Sequence, residues 1–180
     1  MILHCTTKLA TKLPRSLWEE AAAAGSSDRL PQFEDWHGHL LVLDRRQCVI
    51  FCHDLTRYVL FIPGLRAPQF AELERWHREL FTATLAAQSV SSFDLERLEL
   101  ALGPMRIDRR TDRSVLGSMR VVVDDLQHRL LTRVPHVFDL DPIATSLQLN
   151  ERPCTVRNSL VWPMQAMQTL VQQQARSATA

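Results

Sequence analysis

Three apolar runs of strand length follow one another in the first third of the chain: Leu40-Leu41-Val42-Leu43, Cys48 to Cys52, and Tyr58-Val59-Leu60-Phe61-Ile62. Two polar stretches of hairpin length separate them, Asp44-Arg45-Arg46-Gln47 and His53-Asp54-Leu55-Thr56-Arg57. Such short connections permit only antiparallel pairing, so the segment is expected to form a three-stranded meander. Nearly every position in the runs is apolar, which predicts a sheet covered on both faces. Upstream, Ile2-Leu3-His4-Cys5-Thr6 reads as a short strand, followed by a brief helix from Lys8 to Leu13 that Pro14 stops. Residues 21–32 lose periodicity after an alanine run, and are expected to be a helix end and a mobile loop.

After Pro63-Gly64 the apolar period changes from two to between three and four. Phe70, Leu73, His77, Leu80, Phe81, Thr84 and Leu85 share one face of a helix from about Pro68 to Gln88. Ser91 suits the cap of a second helix with Phe93, Leu98 and Leu102 facing inward, stopped by Gly103-Pro104. Met105 to Asp108 reads as another short strand. Thr111 or Asp112 caps a third helix with Val115, Leu116, Met119, Val122, Val123, Leu126 and Leu130 inward. Beyond Pro135, Leu147-Gln148-Leu149 reads as an edge strand and Pro163 to about Gln174 as a last helix. Residues 175–180 are expected to fray. The class is α+β: a meander plus edge strands, packed with three main helices, as a single domain over residues 1–180.

Composition adds limits. Apolar residues make up 46% and charged residues 23%, a globular balance rather than a disordered one. The net charge of +1 forces neither a nucleic-acid nor a membrane partner. No apolar run reaches the roughly 18–20 residues that span a bilayer. The N-terminus places apolar residues before lysines, the reverse of a signal peptide, so a cytoplasmic protein is expected. Cys5, Cys48, Cys52 and Cys154 then read as reduced thiols. Cys48 and Cys52 share a strand face about 13 Å apart, too far for a disulfide.

Three constellations could carry chemistry. His37 and His39 point the same way in a strand, and His53 with Asp54 closes another. These three histidines are weak candidates for a metal site, since no HExxH or CxxC spacing accompanies them. They read equally as partly buried, neutral imidazoles. In the turn, Asp54 could orient His37 or His53 as a proton carrier while Arg57 holds an anion. Asp54 and Thr56 could equally bond their own backbone. The third is Arg106-Ile107-Asp108-Arg109-Arg110-Thr111-Asp112-Arg113. Gly103 to Arg133 holds seven Arg and four Asp, whereas Pro68 to Leu102 holds three Arg and six acids, so basic and acidic faces are expected. Arg109, Arg110 and Arg113 near a helix start could grip an anion, or Asp108 and Asp112 could neutralise them. No dinucleotide, P-loop or nucleophile-elbow motif is present.

Cys5-Thr6-Thr7-Lys8, Trp36-His37-Gly38-His39-Leu40-Leu41, Arg45-Arg46, His53-Asp54-Leu55-Thr56-Arg57-Tyr58, Gly64-Leu65-Arg66 and Thr111 to Met119 together resemble an uncharacterised bacterial domain family of unknown function. The resemblance covers about residues 1–132. It implies a bacterial intracellular protein and a shared fold, with Asn in the usual pattern where this chain has His39. It implies no reaction.

The expectation is a cytoplasmic binding protein without catalysis and without a cofactor, meeting a protein partner, or else nucleic acid, through Arg57, Arg109, Arg110 and Arg113. The alternative is a small metal-independent phosphodiesterase or nuclease using His37, His53 and Asp54.

Overall fold

A computed structural model describes residues 1–18, 33–156 and 158–177. The chain begins with β1 (Ile2–Cys5) and the short α1 (Thr7–Ala10). The expected meander follows as β2 (Asp35–Leu43), β3 (Arg46–His53) and β4 (Val59–Leu65), paired antiparallel. The expected loop at 21–32 lies outside the described residues.

The sheet is mixed, in the order β4-β3-β2-β1-β5, where β5 is Arg106–Asp108. β5 is an edge strand, as expected, and part of the pairing is parallel rather than antiparallel. β1 lies inside the sheet and pairs parallel with both β2 and β5. Long connections make this possible: parallel neighbours need a crossover, and the segments before β2 and β5 supply one each.

Alternation sends two sets of side chains to two cores. Trp36, Leu40, Val49, Phe51 and Leu60 face one side, with Leu3 and Ile107. They pack under α2 (Leu73–Ala87), which continues a tighter 3-10 turn at Ala67–Glu72. On the other side Leu41, Cys48, Ile50, Cys52, Val59 and Phe61 meet Val115, Met119 and Leu126. Those last residues come from α4 (Arg113–Asp125) and the π turn Leu126–Leu130 that extends it. Both faces of the meander are therefore covered, as its apolar runs predict. All four cysteines are free, three of them buried, and burial pushes the thiols up, that of Cys5 to about 12.

Helix α3 (Ser92–Ala101) starts where expected, with the Ser91 hydroxyl accepting from the Asp94 N–H at 3.1 Å. Leu98 and Leu102 are buried, but Phe93 is exposed, with Arg97 over its ring at 4.7 Å. Phe93 and Leu98 are five residues apart, about 140° around a helix, so both cannot face inward.

The region of Leu147-Gln148-Leu149 is helical, not an edge strand. Pro142 and the Asp141 cap, which accepts from the Ala144 N–H at 2.7 Å, start α5 (Pro142–Asn150). The helix serves the sheet edge by side chains instead. Asn150 accepts from the Val59 N–H and donates to the Val59 carbonyl, both at 2.7 Å, and Ser146 Oγ accepts from the Phe61 N–H at 3.0 Å. β4 thus offers fewer open backbone groups to another strand.

A hairpin of β6 (Cys154–Val156) and β7 (Ser159–Val161) leads to α6 (Pro163–Ser177). The helix runs to Ser177, with Val171 and Ala175 buried. Residues 178–180 lie outside the described residues.

Phe51 is fully buried at the centre of β3, with its ring against His77. Phe51→Ala is expected to cost about 3–5 kcal/mol through lost transfer energy and a cavity. Urea denaturation of the variant measures this, and a change below 1 kcal/mol would contradict the register.

Candidate functional site: a histidine bridge at the start of α4

The parallel pairing of β1 sets His4 beside His37, with ring centroids 4.9 Å apart. Both project from the side that α4 covers, because they alternate with the inward Leu3 and Trp36. The β3–β4 turn brings Asp54 to the same place. His37 Nδ1 donates to Asp54 Oδ1 at 2.6 Å, and His37 Nε2 accepts from the Asp112 backbone N–H at 2.8 Å. These two bonds fix the Nδ1–H tautomer and join sheet, turn and helix start.

Asp112 is the N-cap of α4. Its Oδ1 accepts from the N–H groups of Ser114 at 2.6 Å and Val115 at 3.1 Å. Burial works to raise its carboxyl, but these bonds with the nearby Arg57 and His37 bring it below its ordinary value. The helix start is therefore already satisfied from within.

Arg57 completes the bridge. Its backbone is left-handed, with φ of 59°, where glycine sits more easily. The N–H donates to the His53 carbonyl at 2.9 Å, Nη1 to the Asp54 carbonyl, and Nη2 to Ser114 Oγ at 3.1 Å. The side chain is buried, so its reach to α4 explains an arginine at a strained position.

His53 is elsewhere. It is paired with Trp36 across β2 and β3, so it faces the α2 side, opposite to His37. Its Nε2 donates to the Phe33 carbonyl at 3.0 Å, and its Nδ1 accepts from the Thr56 N–H at 3.2 Å and lies 2.8 Å from Thr56 Oγ1. Burial pulls its pKa down to about 4. Of the three residues named for the phosphodiesterase alternative, His37 and Asp54 meet, while His53 lies on the opposite face of the sheet. His39 lies two residues along β2 from His37, 3.3 Å from Thr6 Oγ1, and burial lowers its pKa. Among the described residues, no three His, Cys, Asp or Glu side chains group as metal ligands.

The arginines divide. Arg110 Nε donates to Asp108 Oδ2 at 2.9 Å and its N–H to Oδ1 at 3.0 Å. Arg109 lies over the Trp18 ring at 4.7 Å, and Arg113 is exposed at the first turn of α4. Three members of the site escape sequence reasoning. His4 and Asp108, 3.4 Å apart, come from separate short strands that only the parallel pairing unites. Ser114 meets Arg57 across 57 positions of sequence.

Residues 2–166 match the family model described as Domain of unknown function (DUF6933). The chain belongs to that family. No curated protein and no solved structure matches it. In this DUF6933 chain no helix among the described residues is long and apolar enough to cross a membrane.

Two expected outcomes follow from this geometry. Arg57→Ala loses the ties to Ser114 and Asp54 while keeping the strained backbone, at a cost of about 2–4 kcal/mol. Arg57→Gly relieves the strain and is expected to cost roughly 1 kcal/mol less. Equal stability of the two variants in urea titration would remove the strain from the account.

The second concerns acid. His53 and the fully buried His77 have folded pKa values near 4 and 3, both lowered first by burial, against about 6.5 unfolded. Unfolding therefore takes up protons below pH 6.5. Their contribution to stability is complete above that pH and is lost as pH falls towards 4 and then 3, by up to about 1.4 kcal/mol per pH unit for each histidine. Among the described residues His77 has no hydrogen-bond partner on either nitrogen, so His77→Leu is expected to be as stable at pH 7 and less acid-sensitive. Denaturation at pH 5 and pH 7 reads both; an unchanged acid slope would contradict it.

Proposed function

We propose that this chain is a binding protein that holds an acidic segment of a partner protein along the exposed side of α4. The observation that carries this reading is Gly117. It sits mid-helix and exposed, and among the described residues an added Cβ there would meet no atom within 4 Å beyond the backbone of its own helix. Glycine at such a position costs roughly 0.5–1 kcal/mol relative to alanine, and no packing in the fold asks for it. A surface without a side chain does allow another backbone to approach closely.

The surroundings suit an acidic protein segment. Arg113 and Arg120 lie three or four residues to either side of Gly117, on the same exposed stripe as Val121. Arg109 and Arg110 are exposed just before the helix start. Arg110 is already paired with Asp108, and Asp112 and Asp124 interrupt the positive charge. A mixed surface of this kind favours a protein partner over the uniform charge of a phosphate backbone. The His37 bridge has the supporting role of fixing where the stripe begins. A cytoplasmic setting in a bacterial cell is part of the same proposal.

Gly117→Ala is expected to raise stability by about 0.5–1 kcal/mol. Gly117→Phe and the pair Arg109→Ala/Arg113→Ala should stay folded and lose the same partner in pull-downs from the native host, in a salt-sensitive manner. A partner retained by both variants overturns the reading. Loss on nuclease treatment instead assigns the surface to nucleic acid.

A further inference from the structure

A groove of about 330 Å³ opens on the opposite side of the molecule, between α2, α5 and the end of β4. Ile62 and Leu80 form its buried floor, and Trp76, Pro63, Pro142 and Ile143 are half-buried in its walls. The volume lies at the low end of the range for small-molecule sites. Two of the wall residues are prolines with fixed backbones, so the shape needs little ordering on binding.

Charge distinguishes the rim. Glu79 and Asp141 are the ionisable residues that line the groove among the described residues. Arg75, outside the groove, bridges Glu79 at 3.3 Å and Glu72, and stacks on the Trp76 ring at 4.7 Å. Two carboxylates therefore share one guanidinium, and Asp141 adds a third on the groove wall, so the carboxylates around the mouth outnumber the cation. Asp141 uses Oδ1 to cap α5, which leaves Oδ2 for another donor. An apolar floor with an acidic lip has a complementary ligand: a compact apolar body with one positive group at its end.

We infer that this groove is a binding site for a small apolar amine, an aryl-alkyl or branched-alkyl ammonium whose hydrocarbon part rests on Ile62 and Leu80 and whose cation meets Glu79 and Asp141. A carboxylate of the same shape is rejected, because its charge would face the acidic lip without a partner. This site is independent of the α4 surface and stands on different residues.

The test uses the whole chain and three probes of one shape: phenethylamine, 2-phenylethanol and phenylacetate. The Trp76 indole N–H has no hydrogen-bond partner among the described residues, so its NMR resonance is a local reporter of the groove. Phenethylamine is expected to shift that resonance in a saturable way, at least tenfold more tightly than phenylacetate, with 2-phenylethanol between them. The preference should shrink severalfold in Glu79→Gln and in Asp141→Asn, which keeps the helix cap. Ala83→Phe, which fills the groove, should abolish the shift; Ala83→Met serves the same purpose if the larger ring unfolds the chain. Equal binding of the amine and the acid overturns the charge assignment, and no saturable shift with any probe overturns the site.

Discussion

The pairing of β1 with two parallel neighbours is the constraint on which the other features hang. Four residues near the start of the chain lie between β2 and β5, so the sheet closes only after about a hundred further residues have been placed. Non-local pairing of this kind carries a loop-closure cost before any contact compensates it. It is compensated here by burial of Leu3 and Cys5 on one face. On the other face it sets His4 beside His37 and Asp108, and delivers the chain after β5 to the exact place where α4 must start.

That start is governed by buried polar groups rather than by hydrophobic contact. His37 has one nitrogen on a turn carboxylate and the other on a helix N–H, so neither can be removed without stranding a partner. The same economy appears at the far edge of the sheet, where Asn150 satisfies both backbone groups of Val59. His77 is the contrast. It lies edge-on to Trp36 and Phe51 and tilted against Phe81, with no hydrogen bond among the described residues, and its cost is deferred to acid, where it must charge to leave the core.

The two sides of the sheet present different chemistry to solvent. The side carrying α2 and α3 is the acidic one in sequence, and its groove keeps an acidic lip. The side carrying α4 is the basic one, with its charges arranged around a glycine that packing does not require. Separation of this sort places the two proposed binding surfaces on opposite sides of the sheet, with opposite charge.

Local patterns in the sequence determined the meander, the cap at Ser91, a cap at Thr111 or Asp112 and the coverage of both sheet faces. Each depends on residues within a few positions of one another: continuous apolar runs, short polar turns, and a hydroxyl or carboxylate just before a periodic stretch. The pairing of His37 with Asp54 was also within reach, since β2 and the β3–β4 turn belong to one meander. Tertiary structure alone decided the rest. Whether β1 is an edge or an interior strand depends on backbone hydrogen bonds to β5, which no local pattern encodes. Leu147-Gln148-Leu149 became helical because Asp141 and Pro142 start a helix and Ser146 and Asn150, four apart, can then dock on β4. His53 and His37 separated because the β2–β3 register pairs His53 with Trp36, and a register is a property of two strands together.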